Sequence, residues 1–564
     1  MARTLAIGNQ DFETARREGY FYIDKTKFIR EWWESGDSVT LITRPRRFGK
    51  TLNMSMLEHF FSVKYAGRSD LFEGLSIWQE EKYRQLQGTY PVIALSFADV
   101  KETSYLDAKK RICRIIADLF NQFDFLADSE KLNENERATF RRISAGMEGE
   151  PDSGSLKLLS NYLMQQYGKR VIILLDEYDT PMQEAYVDGY WDELAAFTRS
   201  LFNSTFKTNP YLECAIMTGI TMGNAVSDET AESIFSDLNN LKVMTTTSEK
   251  YADCFGFTEA EVFAALEEYG LASQKQQVRD WYDGFTFGNS RDIYNPWSII
   301  NFLDDRKVGA YWANTSSNRL VGQLIQKGSA NIKKAFEDLL RGEALDIEID
   351  EQIVYNQLSA KKNAIWSLLL ASGYLKVVDI TFVERTGRTY YKLMLTNKEV
   401  QIMFENMVQD WFSGSDDYND FIKALLLGDV KAMNTYMNRV TLEMFSYFDT
   451  GGGQAPERFY HGFVLGLMVE LADRYVVTSN RESGFGRYDV MLEPRTAADD
   501  AVILEFKVQD EEEKELHDTV SQALRQIEER EYQATLIAKG IPQERIRKYG
   551  FAFCGKKVLI GTAE

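Results

Sequence analysis

The chain has 564 residues, of which 44% are apolar and 27% charged, and its formal net charge is −20. This length exceeds what one hydrophobic core supports, so we expect two to four domains of ordinary globular composition. The acidic balance excludes indiscriminate nucleic-acid binding, which needs a cationic face, although a local basic patch could still provide one. Candidates for such a patch are Arg481, Arg487, Arg545, Arg547, Lys548, Lys556 and Lys557.

No apolar run reaches the roughly 18 residues that span a bilayer, and the first 18 residues lack the apolar core of a secretory signal. We therefore expect a cytoplasmic protein without membrane contact. The four cysteines and three histidines are scattered without zinc-ligand spacing. Neither a structural zinc site nor a disulfide framework is expected.

Short β-rich runs alternate with amphipathic helical stretches, such as Tyr105–Phe125 and Trp191–Phe206, over the first half of the chain. Apolar strands interleaved with helices predict an α/β fold with a parallel sheet covered on both faces. Ligands of such sheets bind beyond the carboxyl ends of the strands. The predicted strands are Val39–Thr43, Pro91–Phe97, Val171–Leu175, Glu213–Thr218 and Leu241–Thr246.

The run Arg44–Thr51 follows the first predicted strand and ends in Gly49, Lys50 and Thr51. This arrangement is typical of a loop that holds nucleotide phosphates over a helix N-terminus. Lys50 is expected to reach the β- and γ-phosphates of ATP, and Thr51 to offer its hydroxyl to Mg²⁺. Arg44 stands where the usual loop has glycine, and the added arginines could make bidentate phosphate contacts. The loop residues predicted to bind nucleotide are Arg44, Arg46, Arg47, Phe48, Gly49, Lys50 and Thr51.

The third predicted strand ends in two carboxylates, Asp176 and Glu177. We expect Asp176 to lie on the Mg²⁺ and nucleotide side and Glu177 to orient or deprotonate the attacking water. Thr218 ends the next strand and could sense the γ-phosphate beside Glu177. The alternative is a buried strand that merely ends in solvated acids, which the upstream phosphate loop disfavours.

Beyond Phe257 the pattern changes, and Thr258–Val262 has the signature of a capped helix start. From about 298 to 440 the pattern is mostly helical. It contains one predicted hairpin, Tyr374–Phe382 with Thr389–Leu395, whose turn is Arg385–Arg388. We interpret this region as a helical, winged-helix-like connector.

Two strands near the C-terminus carry a second group of polar residues. Glu505 and Lys507 are two residues apart on the predicted strand Ala501–Val508, so they project from one face. A hairpin can bring Asp489 of Arg487–Leu492 beside them. We expect Asp489 and Glu505 to ligate a hard cation such as Mg²⁺ and Lys507 to position water or stabilise developing charge. The alternative is a structural ion pair between Glu505 and Lys507.

The N-terminal half, from about residue 5 to 290, resembles the bacterial AAA-ATPase-like family through five ordered motifs. In that family the arginine-rich loop is the normal form, hydrolysis often needs an arginine from a neighbouring subunit, and a PD-(D/E)XK nuclease-like domain commonly follows. The resemblance therefore implies an ATPase that can form a homo-oligomer. The motifs are Tyr22–Thr26, Arg44–Thr51, Leu175–Asp179, Thr218–Ile220 and Ser236–Asn240.

The C-terminal order of a predicted helix over Phe459–Arg474, two strands and a second helix resembles the PD-(D/E)XK nuclease fold. The resemblance assigns catalytic roles to Asp489, Glu505 and Lys507, and to Gln526 on the predicted helix Glu515–Glu531. Glu457 is the better match for the metal-binding carboxylate of the first helix, with Glu470 as the competing choice.

These inferences predict three domains, at 1–290 (AAA-like P-loop NTPase), 291–440 (connector) and 441–564 (nuclease-like). The leading hypothesis is an ATP-binding and ATP-hydrolysing protein with a Mg²⁺-dependent nuclease module that cuts DNA. By analogy of architecture, its target would be mobile or foreign DNA. The alternative is a nucleotide-dependent switch that binds a protein or nucleic-acid partner through an inactive nuclease fold.

Overall fold

The computed structural model describes most of the chain. The described residues are 2–146, 151–220, 234–235, 237–313, 319–326, 330–350, 363–413, 417–444, 471, 474–483, 486–496, 499–509, 513, 515–554 and 557–562. They form two compact units. Unit one comprises Met1–Val321 and Ala344–Gln401, and unit two comprises Gly322–Glu343 and Ile402–Glu564. The domain limits near 290 and 440 remain predictions.

A five-stranded parallel sheet forms the centre of unit one, in the order β2-β3-β4-β1-β5. The predicted α/β class and parallel sheet are confirmed. All residues of β1 and β3 are buried, as expected for strands covered on both faces. The strands are β1 (Val39–Thr43), β2 (Val92–Ser96), β3 (Val171–Asp176), β4 (Leu212–Gly219) and β5 (Leu241–Met244).

Helices cover this sheet and contribute aliphatic and aromatic side chains to its core. The helix predicted over Tyr105–Phe125 ends at Asn121, where a short 3₁₀ turn follows at Asp124–Asp128. The helices of this part are Phe12–Arg17, Lys27–Trp33, Lys50–Phe61, Glu81–Arg84, Tyr105–Asn121, Glu134–Ser144, Ser155–Tyr167, Thr180–Asp188 and Trp191–Phe202.

Two small antiparallel sheets complete unit one. The first has the order β6-β8-β7, and the second has the order β10-β11-β9 with β10 and β11 as the predicted hairpin. The predicted cap is present, since the Thr258 side chain accepts from the Glu261 amide. The strands are β6 (Phe257–Thr258), β7 (Phe285–Phe287), β8 (Ser290–Tyr294), β9 (Leu345–Ile347), β10 (Leu375–Val383) and β11 (Arg388–Leu395). The helices are Glu259–Glu268, Lys275–Tyr282, Pro296–Asp305, Arg319–Gln326, Ala364–Ala371 and Lys398–Ser413, of which Arg319–Gln326 and Lys398–Ser413 continue into unit two.

Unit two contains a five-stranded mixed sheet in sequential order, β12-β13-β14-β15-β16. Only β14 and β15 are parallel, and the helix Leu516–Glu529 connects them. The prediction missed β12, which pairs along β13 and extends the expected hairpin to three strands. The strands are β12 (Tyr475–Ser483), β13 (Gly486–Pro494), β14 (Ala501–Val508), β15 (Ile546–Cys554) and β16 (Lys557–Thr562). The other helices are Ala330–Leu340, Asp417–Leu427, Val430–Met444 and Ala534–Ala538.

Within the ranges given above, no helix is long and apolar enough to cross a membrane. The predicted helix over Phe459–Arg474 lies largely outside the described residues.

Candidate functional site

The phosphate loop, residues 44–51, joins β1 to the helix Lys50–Phe61. Gly49 precedes the helix with a φ of 80°, a left-handed conformation that glycine adopts without strain. Lys50 is buried, and its Nζ donates to the carbonyl oxygens of Arg44 at 2.8 Å and Pro45 at 2.9 Å. Burial lowers the pKa of Lys50, and nearby carboxylates partly oppose this effect. The ammonium group thus lies over the loop at the helix N-terminus, where phosphate binds in loops of this kind.

Arg44 is fully buried at the base of the loop. Its Nη1 donates to the carbonyls of Thr245 at 2.6 Å and Thr43 at 2.9 Å, and its guanidinium lies 4.6 Å from the Phe287 ring centre. Burial lowers the pKa of Arg44 to about 10. These contacts tie the start of the loop to the residue that follows β5. A phosphate contact from the Arg44 side chain stays a prediction.

The next residues of the loop also contact the protein. The Arg46 Nη2 donates to Gln183 Oε1 at 3.0 Å, and the exposed Arg47 guanidinium lies 4.3 Å from the Trp297 ring centre. Phe48 is buried against the rings of Phe285 and Phe287 of β7, at 4.7 and 5.3 Å. The two arginines are more accessible than Arg44, and Phe48 anchors the loop. Nucleotide contacts from these residues stay predictions.

The acid pair lies at the carboxyl end of β3, next to the start of the loop helix. Asp176 is buried, and its Oδ2 accepts from Thr51 Oγ1 at 2.7 Å while its Oδ1 accepts from Thr218 Oγ1. The Thr218 hydroxyl also accepts from the Glu177 amide at 3.2 Å. Glu177 has a φ of 50°, and its Oε2 accepts from Thr180 Oγ1 at 3.1 Å. Burial raises the pKa of Asp176, and the two hydroxyl groups counter this effect.

The strand order explains this arrangement. Because β4 lies between β1 and β3, its last residues lie between the start of the phosphate loop and the acid pair. Thr218 contacts both acids, and the Arg44 amide donates to the carbonyl oxygen of the next residue, Gly219, at 3.2 Å. A γ-phosphate contact from Thr218 stays a prediction. The Thr51 hydroxyl and the Asp176 carboxylate place oxygen donors side by side, and such hard oxygen ligands suit Mg²⁺. These residues fit a magnesium site that phosphate and water oxygens would complete.

Asp179 is a member of the site to which we assigned no role from the sequence. It is buried, and its Oδ2 accepts from the Ile220 amide at 2.8 Å. A Cβ atom added at Gly219 would lie 2.9 Å from the Asp179 carboxylate. Asp179 therefore holds the chain directly after Thr218. Its place within Leu175–Asp179 was visible in the sequence, but its partner directly after β4 was not.

In unit two, β13 and β14 bring the predicted nuclease residues together. The Asp489 Oδ2 accepts from the Phe506 amide at 2.8 Å. Glu505 is buried, with 2% of its surface exposed, whereas Lys507 is half-buried. Asp489 is thus hydrogen-bonded to the residue that follows Glu505 in β14. Two oxygen-donor groups of this kind fit a hard divalent cation.

The helix Leu516–Glu529 supplies the fourth predicted residue. Gln526 Nε2 donates to Glu505 Oε1 and to the Tyr532 hydroxyl at 2.9 Å. Burial raises the pKa of Tyr532, and Asp489 and Glu505 add to this effect. The buried Tyr532 is therefore part of the candidate site. The sequence assigned it no role.

Glu457 and Glu470, the two choices for the helix carboxylate, lie outside the described residues. Within the ranges that the structure describes, no group of three or more histidine, cysteine, aspartate or glutamate side chains is arranged to hold a metal ion. A cation at either site would therefore need oxygen ligands beyond the described side chains, such as water or phosphate.

Three residues of the predicted basic patch are paired with acids. Arg545 and Arg547 both contact the Asp500 carboxylate, at 3.0 and 2.6 Å, and Lys548 contacts Glu528 at 2.7 Å. Much of their charge is neutralised locally. The expectation that these three residues provide a free cationic face is therefore not supported.

Comparison with known proteins agrees with this geometry. Residues 6–227 match the family model for a predicted AAA-ATPase, and residues 455–563 match the model for the PD-(D/E)XK nuclease superfamily. A protein of Azotobacter chroococcum mcd 1, described as an uncharacterized protein in the vnfD 5′ region, is 26% identical over 401 residues. The match covers 71% of this chain and 68% of that protein. The resemblance inferred from the sequence is confirmed by these two matches, one to the predicted AAA-ATPase model in the N-terminal part and one to the PD-(D/E)XK nuclease superfamily model at the C-terminal end.

Proposed function

We propose that the protein hydrolyses ATP at the phosphate loop and cuts DNA at the Asp489–Glu505 site. The observation that carries the first half is the Asp176 carboxylate, which two hydroxyl groups hold beside the loop helix. A strand-end carboxylate bonded to the loop threonine is the arrangement by which P-loop NTPases hold Mg²⁺. The metal would neutralise charge on the phosphates.

The side chains divide the work of hydrolysis. Lys50 would exchange its two carbonyl partners for phosphate oxygens, because a full anionic charge is the stronger acceptor. Thr51 and Asp176 would hold the magnesium. Glu177, whose backbone Thr218 fixes, would orient the attacking water.

A calorimetric titration with Mg-ATP tests the nucleotide half. Wild type should bind saturably, Lys50→Ala should bind at least tenfold more weakly, and Glu177→Gln should bind but hydrolyse slowly. Lys64→Ala is the matched control, since it removes a lysine beyond the loop helix. Absence of heat and of saturation with wild type would contradict ATP binding.

In the second half of the proposal, Asp489 and Glu505 hold a divalent cation and Lys507 stabilises the charge that develops on the scissile phosphate. Gln526 is hydrogen-bonded to both Glu505 and Tyr532 and would orient the Glu505 carboxylate. DNA is the proposed substrate. A role in the cytoplasm against mobile or foreign DNA is proposed on architecture alone.

A cleavage assay tests this half. Supercoiled and single-stranded DNA are incubated with Mg²⁺ or Mn²⁺, with and without ATP. Lys507→Ala and Glu505→Gln should each reduce cleavage by about 10²–10³, whereas Lys431→Ala, on the helix Val430–Met444, should cleave like wild type. Cleavage that persists in both site variants would indicate a contaminant or another site.

The pairing of Arg545, Arg547 and Lys548 with acids favours a second candidate function. With these three charges paired, the nuclease fold would serve a nucleotide-dependent switch that binds a partner without cutting it. ATP binding together with no metal-dependent cleavage by wild type would support this alternative.

A further inference from the structure

One carbonyl of the phosphate loop is held from outside the loop. Arg46 O accepts from the indole Nε1 of Trp312 at 3.0 Å and from Asn295 Nδ2 at 3.4 Å. The next residue, Arg47, has a φ of 65°, which is unfavourable for a residue with a side chain. Backbone in such a conformation persists only where its surroundings hold it. Trp312 and Asn295 provide that hold at the peptide between Arg46 and Arg47.

Trp312 itself has little freedom. Its side chain is buried, with 1% exposed, and its ring lies 5.4 Å from that of Phe285 and 5.5 Å from that of Tyr374. Aromatic packing on the ring fixes the direction of its N–H group. The donor therefore constrains the loop.

Glu399 fixes the backbone of Trp312. Its Oε1 accepts from the Trp312 amide at 2.6 Å and the Ala313 amide at 3.4 Å, and its Oε2 accepts from Ser298 Oγ at 2.8 Å. The carboxyl group is buried, with 1% of the residue exposed. A buried carboxyl group with several amide and hydroxyl donors is costly to displace, because each donor would lose its partner.

Glu399 is also the second residue of the helix Lys398–Ser413. Unit one ends at Gln401 within this helix, and unit two takes up the chain at Ile402. One helix thus begins in the unit that holds the nucleotide site and continues into the other. Hydrogen bonds connect Arg46 to Trp312 and Trp312 to Glu399, so this series of contacts reaches the first turn of the helix Lys398–Ser413.

We propose that Trp312 is a positioning residue for the phosphate loop and that Glu399 passes the state of the loop to the helix Lys398–Ser413. This inference rests on the proposed function, whose regulation it describes. When Lys50 leaves the carbonyls of Arg44 and Pro45 for phosphate, the neighbouring Arg46 peptide changes its hydrogen bonding. Trp312 and Glu399 then carry that change into the helix shared by the two units.

Mg-ATP affinity of the full-length protein tests the positioning role. Trp312→Phe keeps an aromatic ring and removes the donor, so affinity should fall about threefold to tenfold, the range of one hydrogen bond. Glu399→Ala should weaken binding similarly, and Glu399→Gln, which keeps an oxygen acceptor, should restore it. Trp33→Phe, which packs on Phe61 and Tyr90, should bind like wild type. A merely structural role would lower the melting temperature without changing affinity.

DNA cleavage at saturating Mg-ATP tests the transmission. The ratio of cleavage rates with and without nucleotide should move toward one in Trp312→Phe and Glu399→Ala, but not in Trp33→Phe. Unchanged affinity and an unchanged ratio in Trp312→Phe would overturn the inference. If wild type bound no ATP, the proposed function would fail and this inference with it. If wild type bound ATP without any effect on cleavage, only the transmission would fail.

Discussion

Thr218 shows how much one hydroxyl group organises at the proposed nucleotide site. It donates to Asp176 and accepts from the Glu177 amide, so it contacts the proposed metal ligand and the proposed water-orienting residue together. Groups that orient a metal-binding carboxylate commonly matter almost as much as the ligand itself. Its importance lies in positioning the two acids.

Replacing Thr218 by valine should therefore reduce the kcat of ATP hydrolysis by about tenfold to a hundredfold. Thr218→Ser keeps the hydroxyl and should remain within about threefold of wild type, which separates the hydrogen bonds from the shape of the side chain. Steady-state kinetics with Mg-ATP measure both variants. Equal rates for the valine and serine variants would contradict the positioning role.

Glu399 gives a prediction for pH dependence. Burial raises its pKa to about 7 from an ordinary value of 4.5, although several donors oppose this. The folded protein then binds the proton more tightly than the unfolded chain, so this stabilising contribution is complete below pH 4.5 and is lost as pH rises toward 7. As the pH rises from 4.5 to 7, ionisation of Glu399 should lower the free energy of unfolding by about 3 kcal/mol.

Glu399→Gln should remove that part of the pH dependence. Denaturant unfolding of wild type and variant between pH 4.5 and 7 measures the difference. The facing hydroxyl groups of Tyr282 and Tyr311 do not interfere, because burial raises the pKa of both. Parallel stability curves for the two proteins would show that Glu399 does not titrate in this range.

At the scale of elements, the helix Ala364–Ala371 lies between β9 and β10 in the chain, and the winged-helix-like interpretation of this region stays a prediction. Residues 364–370 of this helix are all buried. A helix that reads DNA must present exposed side chains to the groove. This helix therefore serves packing, and nearby Gly373 approaches Pro45 of the phosphate loop so closely that a Cβ atom would lie 2.7 Å from its ring.

In unit two, Gly550 allows the helix Leu516–Glu529 to lie directly on β15. A Cβ atom there would lie 2.9 Å from the Val520 carbonyl oxygen, which belongs to helix backbone and cannot move alone. Gly550 is also paired with Glu505 in the sheet. This close approach brings Gln526 over Glu505.

Gly550→Ala should therefore destabilise unit two by about 1–3 kcal/mol and lower metal-dependent cleavage, while Mg-ATP binding stays unchanged. Gly309→Ala is the control, since a Cβ atom there meets only ordinary contacts at 3.5 Å or more. Thermal unfolding together with the cleavage assay measures the effect. Full cleavage by Gly550→Ala would show that the helix does not position Gln526.

For the whole molecule, the chain forms two compact units with separate cores, and the proposed nucleotide site lies in unit one. A ligand stabilises the folded unit that binds it, by about 2.7 kcal/mol at a hundred times its Kd. Differential scanning calorimetry should therefore show two unfolding transitions, and Mg-ATP should raise the midpoint temperature of one more than that of the other. Lys50→Ala should abolish this rise, and a rise of the same size in Lys50→Ala as in wild type would contradict the assignment.

The sequence by itself determined the parallel sheet, the phosphate loop, the acid pair and the order of Asp489, Glu505 and Lys507. These features depend on strand periodicity and on residues close together in the chain, which local physical chemistry constrains. Glu457 and Glu470 remain predictions, since they lie outside the described residues.

Only the tertiary structure decided which distant residues meet. The insertion of β4 between β1 and β3, the Asp179 contact with Ile220, and the approach of Trp312 to Arg46 join segments far apart in the chain. The ion pairs of Arg545 and Arg547 with Asp500 likewise join residues that are far apart in the chain. Periodicity along the chain indicates which face of an element is buried, but the partner on that face depends on how the elements pack.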